Sequence, residues 1–585
     1  MCPLLKKVSL WLLALLAVLI FGVLFVHQDF YWNKRAAVFD REDEVRGENG
    51  MVVSAHALAS QVGIDVLKQG GNAFDAAVAV QFALAVVYPQ AGNIGGGGFL
   101  VYRQADGATG TLDYRERAPK SAHRDMYLDE EGNVVPGLSL TGPLAVGVPG
   151  TVDGMVEVHE RFGSLPFADL VQPAITLADE GYALTSKGAA SLNRFRNSFA
   201  SVNRFTPAAL TDTPWEAGEK ISYPDLAATL TRIRDEGRAG FYEGTTADLI
   251  VDEMQAGGGL ITHADLSDYR SVWRDPIVGT YRGYRIISMP PPSSGGIALV
   301  QLLKGIEPYD VGAMGHNSTD HIHLMTELAR RVYADRATYL GDPDFVEIDI
   351  PRLTGDGFIS ARMATIDMGS ATPSEEVKPG TVEVIESVET THYSIVDKDG
   401  NAVSVTTTLN GMFGSKLVVK GAGFFLNNEM DDFSIKPGHP NQFGLVGAEE
   451  NAIQPEKRML SSMTPTIVEK DGDLFMVVGS PGGSTIITSV FQSIVNVIDF
   501  GMNAQQAVDA RKSHAQWLPD VILMEKGNPD VFTLFGLLMR GHTPVIYPFF
   551  DWELGRLEVI IVEEDGTLIG APDDTRGYDD TAIGY

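Results

Sequence analysis

Between Val8 and Val26 the chain reads VSLWLLALLAVLIFGVLFV, an apolar run without a charge. At 1.5 Å per residue a helix of this length crosses a hydrocarbon core about 30 Å thick, so the pattern predicts a membrane-spanning helix. A cleavable signal has a shorter apolar region of about 7 to 15 residues with small residues at the cut. Here His27-Gln-Asp-Phe-Tyr-Trp follows, and an uncleaved signal anchor is expected. Lys6 and Lys7 favour a cytoplasmic amino end, Lys34, Arg35 and Arg41 weaken that asymmetry, and Phe30, Tyr31 and Trp32 suit the membrane interface. The chain then divides into residues 1–7 in the cytoplasm, the anchor at 8–26, a linker at 27–50 and a folded body from Met51. The linker's charged part, AAVFDREDEVRGENG, has no apolar periodicity.

Within the body, Asp75 to Val87 (DAAVAVQFALAVV) is apolar on nearly every side, which predicts a helix buried in the centre of a large fold. Ile94 to Phe99 (IGGGGF) follows that helix and precedes the strand-like FLVYRQ. This reverses the strand, loop, helix order of a phosphate-binding loop and excludes nucleotide binding there. Met368 to Glu389 is polar, acidic and broken by two prolines, and predicts an exposed linker. After it, THYSIVDKDGNAVSVTTTL carries two β-prone runs about Asp399-Gly400, a hairpin pattern. A turn centred on Asp399 pairs Tyr393 with Val405, Thr391 with Thr407 and Thr390 with Thr408. Thr390, Thr408 and Asn410 then lie on one side. Further on, a strand is expected at Leu474 to Gly479 and a helix from about Thr485 to Phe500.

Composition narrows the function classes. Of 585 residues, 44% are hydrophobic and 21% charged, enough apolar material for a large core. Lys plus Arg number 45 against 76 Asp plus Glu, a net charge of −31 that repels phosphate backbones and excludes nucleic acid as a partner. Cys2 is the single cysteine, so there is neither an intramolecular disulfide nor a cysteine zinc site. No HExxH occurs, and His321 and His323 stand two apart in a helical stretch with their rings on different faces, so neither a metal nor a cofactor is expected.

A threonine hydroxyl is a weak nucleophile until a base takes its proton, and a free α-amino group on the same residue can be that base. At Thr390 this requires a cut directly after Glu389, where the acidic linker ends. Gly479-Ser-Pro-Gly-Gly-Ser484 opens a helical stretch and offers backbone N–H groups to a developing oxyanion. Arg115 in LDYRE offers a fork for a carboxylate, and Asn427 to Asp432 (NNEMDD) offers acids for an ammonium. Taken singly, each feature also fits a plain strand pair, turn or ion pair.

Together these stretches resemble γ-glutamyltranspeptidases, members of the N-terminal nucleophile hydrolase superfamily, from about Met51 to Tyr585. The resemblance is carried by GGNAFDAAVA (Gly70–Ala79), GNIGGGGF (Gly92–Phe99), DYRERAP (Asp113–Pro119), GVPGTVDG (Gly147–Gly154) and PPPSSGG (Pro290–Gly296). More specific are Thr390–Asn410, NNEMDDFS (Asn427–Ser434), RMLSSMTPTI (Arg458–Ile467) and GSPGG (Gly479–Gly483). The resemblance implies an α+β fold, a four-layer αββα sandwich, and self-cleavage between Glu389 and Thr390 into a large subunit (51–389) and a small one (390–585). It makes Thr390 nucleophile and base, Thr408 its orienting partner, and Gly482 and Gly483 the oxyanion hole. Arg115, Ser461 and Ser462 would bind the α-carboxylate of a γ-glutamyl donor, and Asp432, Glu429 and Asn410 its α-ammonium. The implied partners are glutathione and other γ-glutamyl compounds, with water, an amino acid or a dipeptide as acceptor. With the anchor, the catalytic body is expected outside the cytoplasm, on the periplasmic side in a Gram-negative cell.

Two departures stand out. Glu429 occupies a place where many bacterial relatives carry Gln, which bears on acceptor preference. In Pro437 to Gly444, which resembles the lid over the pocket, Phe443 replaces a common Tyr and removes a hydroxyl able to bond Asn410, so a looser lid is expected. The rival readings are a cephalosporin acylase or poly-γ-glutamate capsule hydrolase of the same superfamily, which should lack part of the Arg115, Glu429, Asp432 set, and a membrane-anchored binding homologue without activity.

Overall fold

The structure is a computed structural model that describes residues 44–377, 390–528, 530–546, 554–573, 576 and 579–585. The spanning helix expected at Val8–Val26 and the cleavage residue Glu389 lie outside the described residues. Among the described residues no helix is long and apolar enough to cross a membrane.

Two seven-stranded antiparallel sheets are formed by β1 (Val45–Gly47), β2 (Gly50–Ser54), β3 (Gly97–Arg103), β4 (Thr109–Asp113), β5 (Val272–Arg274), β6 (Ile277–Tyr281), β7 (Tyr284–Ser288), β8 (Thr391–Asp397), β9 (Ala402–Thr408), β10 (Thr466–Lys470), β11 (Asp473–Gly479), β12 (Glu558–Val562), β13 (Leu568–Ala571) and β14 (Thr581–Gly584). The first sheet runs β14-β2-β8-β9-β3-β4-β5 and the second β1-β13-β12-β11-β10-β7-β6. Strands from before and after residue 390 therefore interleave in both sheets. At the rim, the Tyr585 carbonyl accepts from the N–H groups of Glu48 and Asn49, so residues 45–50, expected in the linker, belong to the folded body, which starts ahead of Met51.

Alternate residues of the strands feed different apolar layers, because a strand turns successive side chains to opposite faces. Met51 and Val53 of β2, Phe99 and Val101 of β3, Ile467 of β10, Val477 of β11 and Ile560 of β12 pack between the two sheets. Val52, Leu100 and Tyr102 face outward onto α1 (Ala57–Lys68) and α2 (Ala73–Val87). Val468, Met476, Val478 and Val559 face the other way, onto α3 (Gly295–Ile306), α4 (Thr319–Tyr339) and α5 (Ile486–Ile498). Both faces of the central strands are covered, and their polar residues, such as His392, Ser394, Ser404 and Thr406, are buried with hydrogen-bond partners. The layers run helix, sheet, sheet, helix.

Helix α2 is buried at every position, as its all-round apolar pattern predicts. It begins two residues before Asp75, because Asn72 caps it: Asn72 Oδ1 accepts from the N–H groups of Phe74 and Asp75, while Asp75 accepts from the Asn72 N–H. Helix α5 starts at Ile486 after a 3-10 turn over Gly483–Thr485.

Phe99 is fully buried between the sheets, whereas Phe532 is 77% exposed. Phe99→Ala should cost about 3–5 kcal/mol in chemical denaturation, and Phe532→Ala should stay within about 0.5 kcal/mol of wild type. Equal effects would contradict the layer assignment.

Candidate active site

The hairpin sits in the middle of the first sheet with the register expected from its turn: Thr391 opposite Thr407 and Tyr393 opposite Val405. Gly400, at φ 86°, supplies the left-handed residue of the turn. The outer side of β9 pairs with β3, Thr408 opposite Gly97. The glycine run acts here by removing bulk. A Cβ on Gly96 would stand 2.1 Å from the Thr408 carbonyl oxygen, and one on Gly98 2.5 Å from that of Thr406. This ladder puts Thr390, buried just ahead of β8, beside Thr408, with 3.4 Å between their Oγ1 atoms. The chain then turns sharply at Asn410, φ 74°, whose N–H donates to Thr408 Oγ1 at 2.7 Å. Asn410 Nδ2 donates to the Asn428 carbonyl at 3.0 Å, which fixes the amide beside the acidic segment.

On the facing sheet, β11 runs into the glycine pair. Gly482 and Gly483 have φ of 137° and 55°, and the Gly482 carbonyl accepts from the N–H and hydroxyl of Thr485, so the pair is held at the mouth of α5. A Cβ on Gly483 would stand 2.4 Å from the Phe443 ring, and one on Gly482 2.5 Å from Thr485 Oγ1. Both backbone strain and space therefore demand glycine. Thr390, Thr408, Asn410 and Gly483 line one pocket, with the positive end of a helix at its floor.

The other end of that pocket is charged. Arg115 is buried, with Nη1 2.6 Å from Glu429 Oε2, Nη2 donating to Asp432 Oδ2 at 2.6 Å, and Glu116 Oε2 3.6 Å away. The separation expected from the resemblance, Arg115 at one end of a zwitterion and Glu429 with Asp432 at the other, is not how the side chains rest: they pair with one another. The reason is desolvation, since a buried charge without a counter-charge costs several kcal/mol. Burial pushes Glu116 up to about 8 against the pull of Arg115. It also holds Glu429 and Asp432 above the ordinary carboxylate range, again opposed by Arg115. Asp432 keeps 12% of its side chain exposed toward the pocket, whereas Glu429 keeps none.

Ser461 and Ser462 line the same pocket. Their strand-like segment is tied to the loop before α3, with Ser461 N–H donating to the Pro292 carbonyl and Ser294 N–H to the Ser461 carbonyl. Phe443 closes the opposite side. Its segment is fastened without a tyrosine hydroxyl: Asn441 Nδ2 donates to Asp432 Oδ1 at 2.9 Å, Gln442 N–H to Asp431 Oδ2 at 2.8 Å, and Gln516 Nε2 to the Phe443 carbonyl at 3.0 Å.

Sequence reading overlooked two residues of the cluster. Glu116 adjoins Arg115 in the chain, and that adjacency was a usable signal. Arg336, on α4, also lines the pocket, and nothing local to α4 marks it. The histidine pair behaves as its spacing implies, His321 accepting from the Asn317 N–H while His323 Nδ1 meets His542 Nε2 at 2.7 Å. His323, Glu327 and His542 do converge, because His542 arrives from a distant segment, but the Glu327 carboxylate is already held by Arg330 and Arg331.

Comparison with known proteins agrees with this geometry. Residues 59–583 match the family described as Gamma-glutamyltranspeptidase. The glutathione hydrolase proenzyme of Escherichia coli (strain K12) is 47% identical over 544 residues, covering 92% of this chain and 93% of the relative. Among solved structures, cephalosporin acylase from Bacillus halodurans superposes with a TM-score of 0.82 at 28% identity, covering 93% of this chain and 97% of its own. Helicobacter pylori gamma-glutamyltranspeptidase gives 0.54 at 46% identity, covering 56% of this chain and 94% of its own. With the family match spanning nearly the whole folded body and the threonine pair, Gly483 and the charged cluster meeting in one pocket that Gly482 adjoins without lining, the chain belongs to the γ-glutamyltranspeptidase family.

Proposed function

We propose that this protein is a γ-glutamyltransferase and glutathione hydrolase that cuts itself before Thr390 and then works through a γ-glutamyl-threonine enzyme. The observation that carries the reading is the meeting of Thr390 and Thr408 with Gly483 at one end of a pocket and Arg115, Glu429 and Asp432 at the other. In processing, Thr390 Oγ1 attacks the Glu389 carbonyl carbon, the acyl group passes from nitrogen to oxygen, and water hydrolyses the ester. This frees the Thr390 α-amine and divides the folded body into a large part, 51–389, which keeps the anchor, and a small one, 390–585. The relative in E. coli is named a proenzyme, which fits such a step.

In turnover the same oxygen attacks the γ-amide carbon of the donor while the α-amine takes its proton. The N–H groups of Gly482 and Gly483 stabilise the oxyanion, a donor of this kind being worth roughly 3–4 kcal/mol of barrier. The amine leaving group, cysteinylglycine from glutathione, departs with the transferred proton. Water or the amine of an amino acid or dipeptide then takes the glutamyl group. Thr408 holds the nucleophile, Asn410, Glu429 and Asp432 receive the α-ammonium, and Arg115, Ser461 and Ser462 the α-carboxylate. A site built for both charges rejects donors lacking either, because buried groups are then left unpaired. A side-chain acylase has no use for that charged set. The apolar run at Val8–Val26 supports an anchor with the catalytic body outside the cytoplasm, periplasmic in a Gram-negative cell.

On a denaturing gel the wild type should migrate as two pieces, and Thr390→Ala as one chain without γ-glutamyl-p-nitroanilide hydrolysis; cutting of the alanine variant would refute the assignment. Asp432→Ala should still be cut but lose about 2–5 kcal/mol of transition-state stabilisation, roughly 30-fold or more in kcat/KM. Comparable activity on donors with and without an α-amino group would oppose that role.

Protons should leave when a glutamyl ligand binds. Acids whose pKa is raised carry protons below that value, and an incoming ammonium favours their ionised form, so affinity for L-glutamate should rise as pH goes from roughly 6 to 8. Calorimetry in buffers of different ionisation enthalpy should register release of up to about one proton per site. No exchange would mean that Glu116, Glu429 and Asp432 are already ionised, and uptake would mean that binding raises the pKa of a group in the site, against this reading.

A further inference from the structure

Arg115 rests between two carboxylates, whereas the second guanidinium of the pocket does not. Arg336 is buried on α4 and lines the cavity beside Ser461 and Ser462. Among the described residues no carboxylate lies within ion-pair distance of it. Its neighbours on the same helix, Arg330 and Arg331, both hold Glu327. Arg336 Nε instead donates to Ser294 Oγ at 2.9 Å, and Nη2 to Ser462 Oγ at 3.2 Å. Burial lowers it to about 10, with the charge of Asp432 working the other way.

The hydrogen bonds around it have a fixed sense. A guanidinium only donates, so Ser462 Oγ accepts from Arg336 and keeps its own hydrogen for another acceptor. Ser294 Oγ likewise accepts from Arg336 and donates to the Ser461 carbonyl at 2.7 Å, pinning that backbone. Ser461 Oγ in turn accepts from the Met463 N–H at 3.1 Å, so its hydrogen is also left for an acceptor. Two hydroxyl donors and a cation with no carboxylate at ion-pair distance among the described residues thus stand together in the pocket that holds Thr390.

We propose that Arg336 is a specificity-determining and positioning residue for the donor's α-carboxylate: it orients the Ser462 hydroxyl as a donor, fixes Ser461 through Ser294, and adds a second positive charge to that of Arg115, which Glu429 and Asp432 share. This rests on the γ-glutamyl reading above. A donor with an ammonium but no carboxylate gains nothing from Arg336.

The test measures inhibition of γ-glutamyl-p-nitroanilide hydrolysis by L-glutamate, glutarate and 4-aminobutyrate, in wild type, Arg336→Gln and Ser294→Ala. Loss of a charge-assisted contact predicts that Arg336→Gln raises Ki for glutamate and glutarate about 10- to 100-fold, with 4-aminobutyrate within about threefold. Ser294→Ala leaves the pocket-facing groups in place and should give the same pattern at about three- to tenfold. It decides the matter where Arg336→Gln does not fold. Equal losses for all three inhibitors, or none, would overturn the role of Arg336 while leaving the enzyme's activity assigned. A wild type that neither hydrolyses the donor nor binds glutamate would remove the functional reading and this inference together.

Discussion

The pairing of β8 with β9 is the constraint on which the site depends. It is a central ladder, flanked by β2 on one side and β3 on the other, so neither strand can slip by one residue without turning an apolar face into the wrong layer. That rigidity is transmitted to Thr390 and Thr408 at its open end. The glycines of β3 let a third strand close against Thr406 and Thr408, and the Asn410 turn brings the chain back toward the acidic segment. The hydroxyl pair is therefore located by backbone pairing in a sheet and not by a loop, which suits the role proposed for Thr390.

Facing it is a collection of charges placed where water is scarce. Three carboxylates crowd one guanidinium at Arg115, and a second guanidinium at Arg336 is left with hydroxyl partners. Such a pocket is expensive to maintain, since burial opposes ionisation of every member. It is matched to a ligand that carries both signs within a few ångströms, and an apolar acyl group would restore nothing.

Local chemistry made much of this legible. Asp399-Gly400 between β-prone runs determined the hairpin and hence the threonine pair, and a stretch apolar on all sides identified α2 before its cap was known. The order of elements about the glycine run gave no hint of its service as clearance for β9, which emerged only from packing. What escaped was non-local. Arg336 lies on a helix with several basic residues, and only the fold separates the pair that clasps Glu327 from the one turned toward Ser462. His542 meets His323 across a gap of 219 positions that no spacing rule spans. The mutual pairing of Arg115, Glu429 and Asp432 escaped for another reason: residue chemistry suggests what each would bind, while desolvation dictates what each does until then.

The interleaving of strands from either side of residue 390 gives the molecule an asymmetric history. As one polypeptide, it folds with every sheet partner tethered and Tyr585 stitched to the turn between β1 and β2. Once the bond before Thr390 is severed, the same native contacts join two separate chains. Under the proposed processing, recovery after unfolding would become a second-order encounter that weakens with dilution, and a cut protein would depend on a slow rate of opening to keep its shape.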